Sequence, residues 1–349
     1  MDLSQRYALW VIATGVTGVL LYALREPLTQ FAMAGILWLA IDGLANTLAK
    51  NLRFLPKWVA LPFAIVLVLG ATALIGWVVI SNVSRMTGEF AAYHARIDQI
   101  LAQAYATAHI NGPPPTVDTL ISHIDPAKLA GSIGGILQNT ASNVIFVLIY
   151  LAFLFPAARM MSKKLTFIFG RGEEREQVRD VVRRIRESME SYLWVQTVLS
   201  LIITALTYVT LRIIGLDNAL FWSFVIFFLN YIPTLGSIAA VAITVAAALV
   251  QFSSLTPVFA VAIGVTVWQF VVGNFLQPRM TGESLNLSAV IVLLALSIWG
   301  AIWGIAGAFL AAPLTVMIMI VLAQFPDTRW IAILLSADGK PSPRVQVSE

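Results

Sequence analysis

Cysteine is absent from the 349 residues, which removes disulfides, thiolate metal sites, iron–sulfur clusters and cysteine nucleophiles together. Charge is scarce. Asp, Glu, Lys and Arg make up 11% of the chain, against roughly 25% in a soluble domain, so a water-soluble globular fold is excluded. The net charge of +4 is too small, and too locally placed, for a nucleic-acid surface. His94, His109 and His123 stand 15 and 14 positions apart, unlike the close helical pairs of metal sites. No glycine loop is followed by the Lys and Ser or Thr of a phosphate cradle. Neither an enzyme nor a resident cofactor or metal is expected.

Long apolar runs take the place of those features. Stretches without Asp, Glu, Lys, Arg or His cover Tyr7 to Leu24, Trp58 to Ser84, Leu129 to Ala158 and Ser191 to Leu211, at 18, 27, 30 and 21 residues. Pro27 to Ala49 is interrupted only by Asp42. About 20 residues of helix cross a ~30 Å hydrocarbon layer, so each run is a membrane segment. Tyr7 to Leu24 ends in Leu24-Arg25-Glu26-Pro27, without the small residues of a signal-peptide cleavage site, and is read as the first membrane helix. Asn218 to Pro278 and Ser284 to Pro326, with 61 and 43 uncharged residues, are too long for single crossings and must fold back. The breaking points are Asn230 to Gly236 and Phe252 to Pro257 in the first, and Gly300, Gly304, Gly307 and Pro313 in the second. The fold class is all-α, a polytopic integral membrane helix bundle of about eight membrane segments, two of them broken or re-entrant. Backbone freed at such breaks cannot face lipid, and must be buried or line a wet cavity.

Three regions follow: membrane helices over 1–80, an extracytoplasmic helical section over 81–139, and a membrane bundle over 140–349 with broken segments at 219–251 and 287–325. Nine of the 22 basic residues lie between Arg159 and Arg186, which places that connection in the cytoplasm and, by parity, both termini with it. Val178, Val181, Val182, Ile185 and Met189 give an amphipathic helix at 172–190. It reads either as a headgroup-binding or gating element or as a solvated helix packed on the bundle. In the outer section an apolar stripe including Val83, Met86, Ile97 and Ile100 continues the third span as helix.

Asp42 is the one residue that qualifies well as an intramembrane charge, and it reads either as a proton or cation relay or as an aspartate that fixes packing. Gln196, Thr197, Ser200, Thr204 and Thr207 give the fifth span a polar face, and Gln269, Asn274 and Gln277 precede Pro278. Such groups commonly supply interhelical hydrogen bonds worth under about 1 kcal/mol. Paired Gly/Pro-interrupted segments are the better pointer, because transporters use them to expose helix ends near the midplane. One lip is assigned to Asn230, Pro233, Thr234 and Gly236, the other to Gly304, Gly307 and Pro313. Tight packing at the glycines and a kink at the proline is the competing explanation.

Phe228-Leu229-Asn230-Tyr231-Ile232-Pro233-Thr234-Leu235-Gly236, Gly273-Asn274-Phe275-Leu276-Gln277-Pro278-Arg279-Met280-Thr281-Gly282-Glu283-Ser284-Leu285 and Trp303-Gly304-Ile305-Ala306-Gly307-Ala308-Phe309-Leu310-Ala311-Ala312-Pro313-Leu314 occur in that order. In this combination the chain resembles the autoinducer-2 exporter family of bacterial membrane proteins over nearly its whole length. The resemblance implies an inner-membrane location, a homo-oligomer with the pentamer as one form, and export of a small signalling molecule or, in some relatives, sodium or lithium exchange for protons. The chain departs from the pattern at Val272, where many relatives carry an acid, and at Ser288-Ala289, where relatives often show His-Pro. The partners expected are the lipid bilayer and a small polar solute or a monovalent cation; a non-transporting membrane scaffold is the remaining alternative.

Overall fold

The computed structural model describes residues 3–51, 56–88, 126–169, 173–281 and 286–341, with scattered positions between 96 and 119. His94, His109 and His123, and most of the outer section's stripe beyond Gly88, lie outside the described residues. The described elements are helical apart from one antiparallel bridge between Leu287 and Ser336.

The helices are α1 (Leu3–Ala23), α2 (Arg25–Asn51), α3 (Lys57–Gly88), α4 (Pro126–Phe169), α5 (Glu173–Ile214), α6 (Ala219–Leu229), α7 (Leu235–Gln251), α8 (Leu255–Val271), a π-helical turn (Val272–Leu276), α9 (Gln277–Thr281), α10 (Ala289–Leu322) and α11 (Arg329–Leu335). Among the described residues six stretches are long and apolar enough to cross a membrane, and α6 and α7 are shorter apolar helices. Large apolar side chains stand open along them, Val66, Phe153, Ile213 and Phe259 among them. This is the expected surface for a helix whose solvent is lipid.

The amphipathic segment and the fifth span form one helix, α5, of 42 residues. Met189, Glu190 and Ser191 join the two parts with no proline or glycine to stop the backbone ladder, so the change from charged to apolar surface leaves the helix intact. Met189 is fully buried, with Val181 and Ile185 packed beside it.

The chain divides into two compact units. The first comprises residues 1–64, 143–196 and 280–349. Its core joins Ile36 and Leu39 of α2, Met189, Tyr192 and Leu193 of α5, and Leu310, Ala312, Val316 and Ile320 of α10. Alanines among the larger side chains let the helices approach closely, as packing within a bilayer favours.

The second unit comprises residues 65–142 and 197–279. Gly236, Ala240, Thr244 and Ala248 are buried at four-residue spacing on α7, and Val258, Val261, Val265 and Gln269 likewise on α8. These two helices pack along each other, and α6 packs on α7.

Candidate functional site: two helical hairpins

In the second unit the chain enters through α6 and returns through α7. Eleven residues of α6 span about 17 Å, roughly half the hydrocarbon core. The feet of the hairpin are tied at one level. Gln251 at the end of α7 donates from Nε2 to the Gly215 carbonyl at 2.8 Å and accepts from the Asp217 amide at 2.7 Å. Arg96 of the outer section caps the same end, donating to the carbonyls of Phe252 and Ser253 at 2.9 and 3.2 Å. Residues 219–251 therefore form a helical hairpin whose two feet meet.

Its tip is strained. Thr234 has φ 62° and ψ −56°, and the Leu235 amide donates to the Pro233 carbonyl at 2.6 Å. That is a γ-turn with positive φ at its centre, a rare conformation costly for a β-branched residue. Gly236 follows because nothing larger fits: a Cβ there would lie 1.7 Å from the Leu229 carbonyl oxygen. Asn230 accepts from Gln269 of α8 at 3.1 Å, and the Tyr231 hydroxyl meets Thr197 of α5 at 2.8 Å.

The first unit contains a second hairpin inside α10. Gly304, with φ 64° and ψ −142°, separates limbs 289–303 and 305–322. The limbs fold back on one another. A Cβ on Gly307 would lie 1.9 Å from the Trp299 carbonyl oxygen, one on Gly300 would meet the Ala308 Cβ at 3.9 Å, and Trp299 Nε1 donates to Thr315 Oγ1 at 3.3 Å. Trp303 packs against Trp299 with ring centroids 5.0 Å apart and donates to the Leu21 carbonyl of α1 at 3.3 Å. The foot of the first limb is tied to the end of α11 and the segment that follows it. The Ser288 amide donates to the Leu335 carbonyl, the Ala337 amide to the Asn286 carbonyl, and Asn286 Nδ2 to Asp338 Oδ1.

Each assigned position now has a place. Asn230, Pro233, Thr234 and Gly236 form the first tip, and Gln269 is hydrogen-bonded to it. Gly304 is the second tip, Gly307 the close approach behind it, and Pro313 is buried within the returning limb. Asn274 and Gln277 do not join Gln269: both are exposed, and Asn274 donates to the Phe270 carbonyl of its own helix at 3.0 Å. A shared face for positions 269, 273 and 277 presumes regular α-helix, and the π-helical turn at Val272–Leu276 breaks that register. Pro278 explains the turn, since its ring would clash with the Asn274 carbonyl in a regular helix.

Asp42 is ion-paired with Arg186 of α5, a short contact, and Arg186 also binds Glu190 at 2.7 Å and lies over the Trp38 ring at 5.9 Å. Glu190 covers Gly43, whose Cβ would meet its Cγ at 3.3 Å. The arrangement joins α2 to α5 through a guanidinium that serves two carboxylates. Sequence spacing gives no hint that residues 144 positions apart pair in this way; nor does it show Thr197, Tyr231 and Trp299 at the hairpins.

Apolar spans carrying irregular, glycine-dependent turns define a multi-pass membrane protein built as transporters are built. Similar proteins carry matching descriptions. The chain is 27% identical over 331 residues to "AI-2 transport protein TqsA" of Escherichia coli K12, covering 93% of this chain and 95% of that protein. It is 28% identical over 299 residues to a Haemophilus influenzae protein described as "Putative transport protein", covering 82% and 84%. Residues 9–327 match the AI-2E family transporter profile, and the chain belongs to that family. It is a multi-pass membrane transporter.

Proposed function

We propose that the protein exports a small polar solute, a signalling molecule of the autoinducer-2 kind, across the bacterial inner membrane by alternating access, with the two hairpin tips as gates. The observation that supports this is that each hairpin has an anchored foot and turns at one strained residue, Thr234 or Gly304, whose tip is held to neighbouring helices by only a few hydrogen bonds. Feet so fixed act as hinges, and exchange of the few tip hydrogen bonds for bonds to the solute lets the tip move. By the charge of the connections, the first hairpin enters from the outer face and the second from the cytoplasmic face, with both termini cytoplasmic. Asn230 and Gln269 offer amide groups to the solute, Asn274 and Gln277 serve its approach, and the protein works as a homo-oligomer.

Asp42 acts as a proton relay only if it releases Arg186 during the cycle. Without such release it fixes α2 against α5. The test is flux through purified protein in liposomes. Wild-type protein should move autoinducer-2, and Asn230→Leu should slow it at least tenfold without unfolding. Sodium or lithium pulses that collapse an imposed proton gradient would identify an antiporter instead, and inert vesicles with a stable co-purifying protein would identify a scaffold.

A further inference from the structure

Hydroxyl groups on membrane helices satisfy themselves locally by donating to the carbonyl four residues back, and this chain follows the rule widely. Thr210, Ser223, Thr244, Ser297 and Thr315 donate to the carbonyls of Leu206, Ala219, Ala240, Leu293 and Ala311 at 2.7 to 3.0 Å. Three hydroxyls on α5 depart from it. Ser200 Oγ, Thr204 Oγ1 and Thr207 Oγ1 are buried and meet no hydrogen-bond partner among the described residues. Ser200 and Thr207 have no exposed surface at all.

Positions 200, 204 and 207 follow the helical repeat, so the three groups form one row about 10 Å long on a single face of α5. Contacts from other helices bracket the row. Thr197, one turn before it, meets Tyr231 beside the first hairpin tip, and Thr210, one turn after it, accepts from Trp268 of α8 at 2.9 Å. Trp268 is the neighbour of Gln269, which holds Asn230 of that tip.

We propose that Ser200, Thr204 and Thr207 form the wall along which the second unit binds its solute, and that this solute is neutral and carries several hydroxyl or carbonyl oxygens. The proposal rests on the transport reading above and names the substrate class of that pathway. Between Thr197 and Arg279 the only carboxylate is Asp217, at the foot of the hairpin, so these helices offer a buried cation no opposite charge along the row. Nor do the hydroxyls converge as a cation requires, since successive ones are separated by about 6 and 4.5 Å along the helix axis. Hydroxyls that both donate and accept, set one turn apart, suit a solute with its own chain of such groups. They are buried with Tyr231 of the tip one turn away at Thr197, and movement of that tip gives the solute access.

The test uses the full chain, with radiolabelled erythritol, ribose and glycerol as probes, in liposome flux and in calorimetric titration. Ser200→Ala, Thr204→Val and Thr207→Val should each raise the half-saturating concentration at least tenfold, and Thr207→Ser should restore it. The thermal midpoint in detergent should hold or rise, because each change removes a buried group without a partner. A midpoint that falls with the hydroxyl, at unchanged half-saturation, would overturn the proposal and make the row a packing feature. Should wild-type vesicles move none of the probes, the transport reading fails, and titration judges the row separately: erythritol heat abolished by Thr207→Val upholds it, and no heat from wild type with any probe overturns it. A sodium flux lost in the same variants would overturn the assignment to neutral solutes.

Discussion

Each hairpin tip carries one residue of positive φ, Thr234 and Gly304. Gly304 combines positive φ with ψ near −142°, a region open almost only to glycine. A Cβ there would meet nothing within 4 Å, so space is not the obstacle. Gly304→Ala should therefore lower stability by about 1–3 kcal/mol through conformation alone. Gly273→Ala, equally free of contacts and without positive φ, should cost nothing comparable; denaturant unfolding in detergent compares the two. At Asp42 the expected effect on stability is small. The carboxylate and Arg186 side chains are 24% and 41% exposed, and Arg186 keeps Glu190, so Asp42→Asn should cost less than about 1 kcal/mol. Loss of proton-coupled flux in that variant, at unchanged stability, would reveal a relay.

At the scale of the element, both hairpins depend on a glycine seven or eight positions beyond the carbonyl it touches. Gly236→Ala and Gly307→Ala would press a methyl group into the backbone carbonyls of Leu229 and Trp299. The limbs must separate, at a cost of about 1–3 kcal/mol for overpacking, and thermal unfolding should show it together with lost flux. The foot of the second hairpin carries its own signature. The Asp338 carboxyl is held below the usual carboxylate range by the Asn286 side-chain amide and then by the Lys340 backbone N–H. A depressed folded pKa contributes stability above the unfolded value, near 3.9, and loses it as pH falls through the folded value. Exchange of the Lys340 amide, corrected for its intrinsic pH dependence, should accelerate over that acidic window. Asp338→Asn should exchange faster at neutral pH and show no acidic step.

For the molecule as a whole, the uncharged runs made the helices legible, because a bilayer demands length and apolarity wherever a chain crosses it. Asn230-Tyr231-Ile232-Pro233 and Gly304 marked the breaks for the same reason: proline and glycine interrupt a backbone ladder whatever surrounds them. What stayed hidden was set by contacts distant in sequence. The Gln251 bonds that join the feet of the first hairpin, the Arg186 partner of Asp42 and the clasp from Asn286 to Asp338 all depend on side chains meeting after folding. The π-helical turn was hidden differently. Pro278 signals a disturbed helix, but not whether it kinks or widens, and the widening is what parted Gln269 from Gln277.

The absence of native cysteine allows the central claim to be tested by single-cysteine labelling in sealed, oriented vesicles. Thr234→Cys and Gly304→Cys should react with a membrane-impermeant maleimide added from water, and excess transported solute should slow the reaction, as hairpin tips lining a hydrated passage require. Both positions remaining unlabelled from either side, while Ser253→Cys beside the hairpin foot labels readily, would contradict a wet route through the tips.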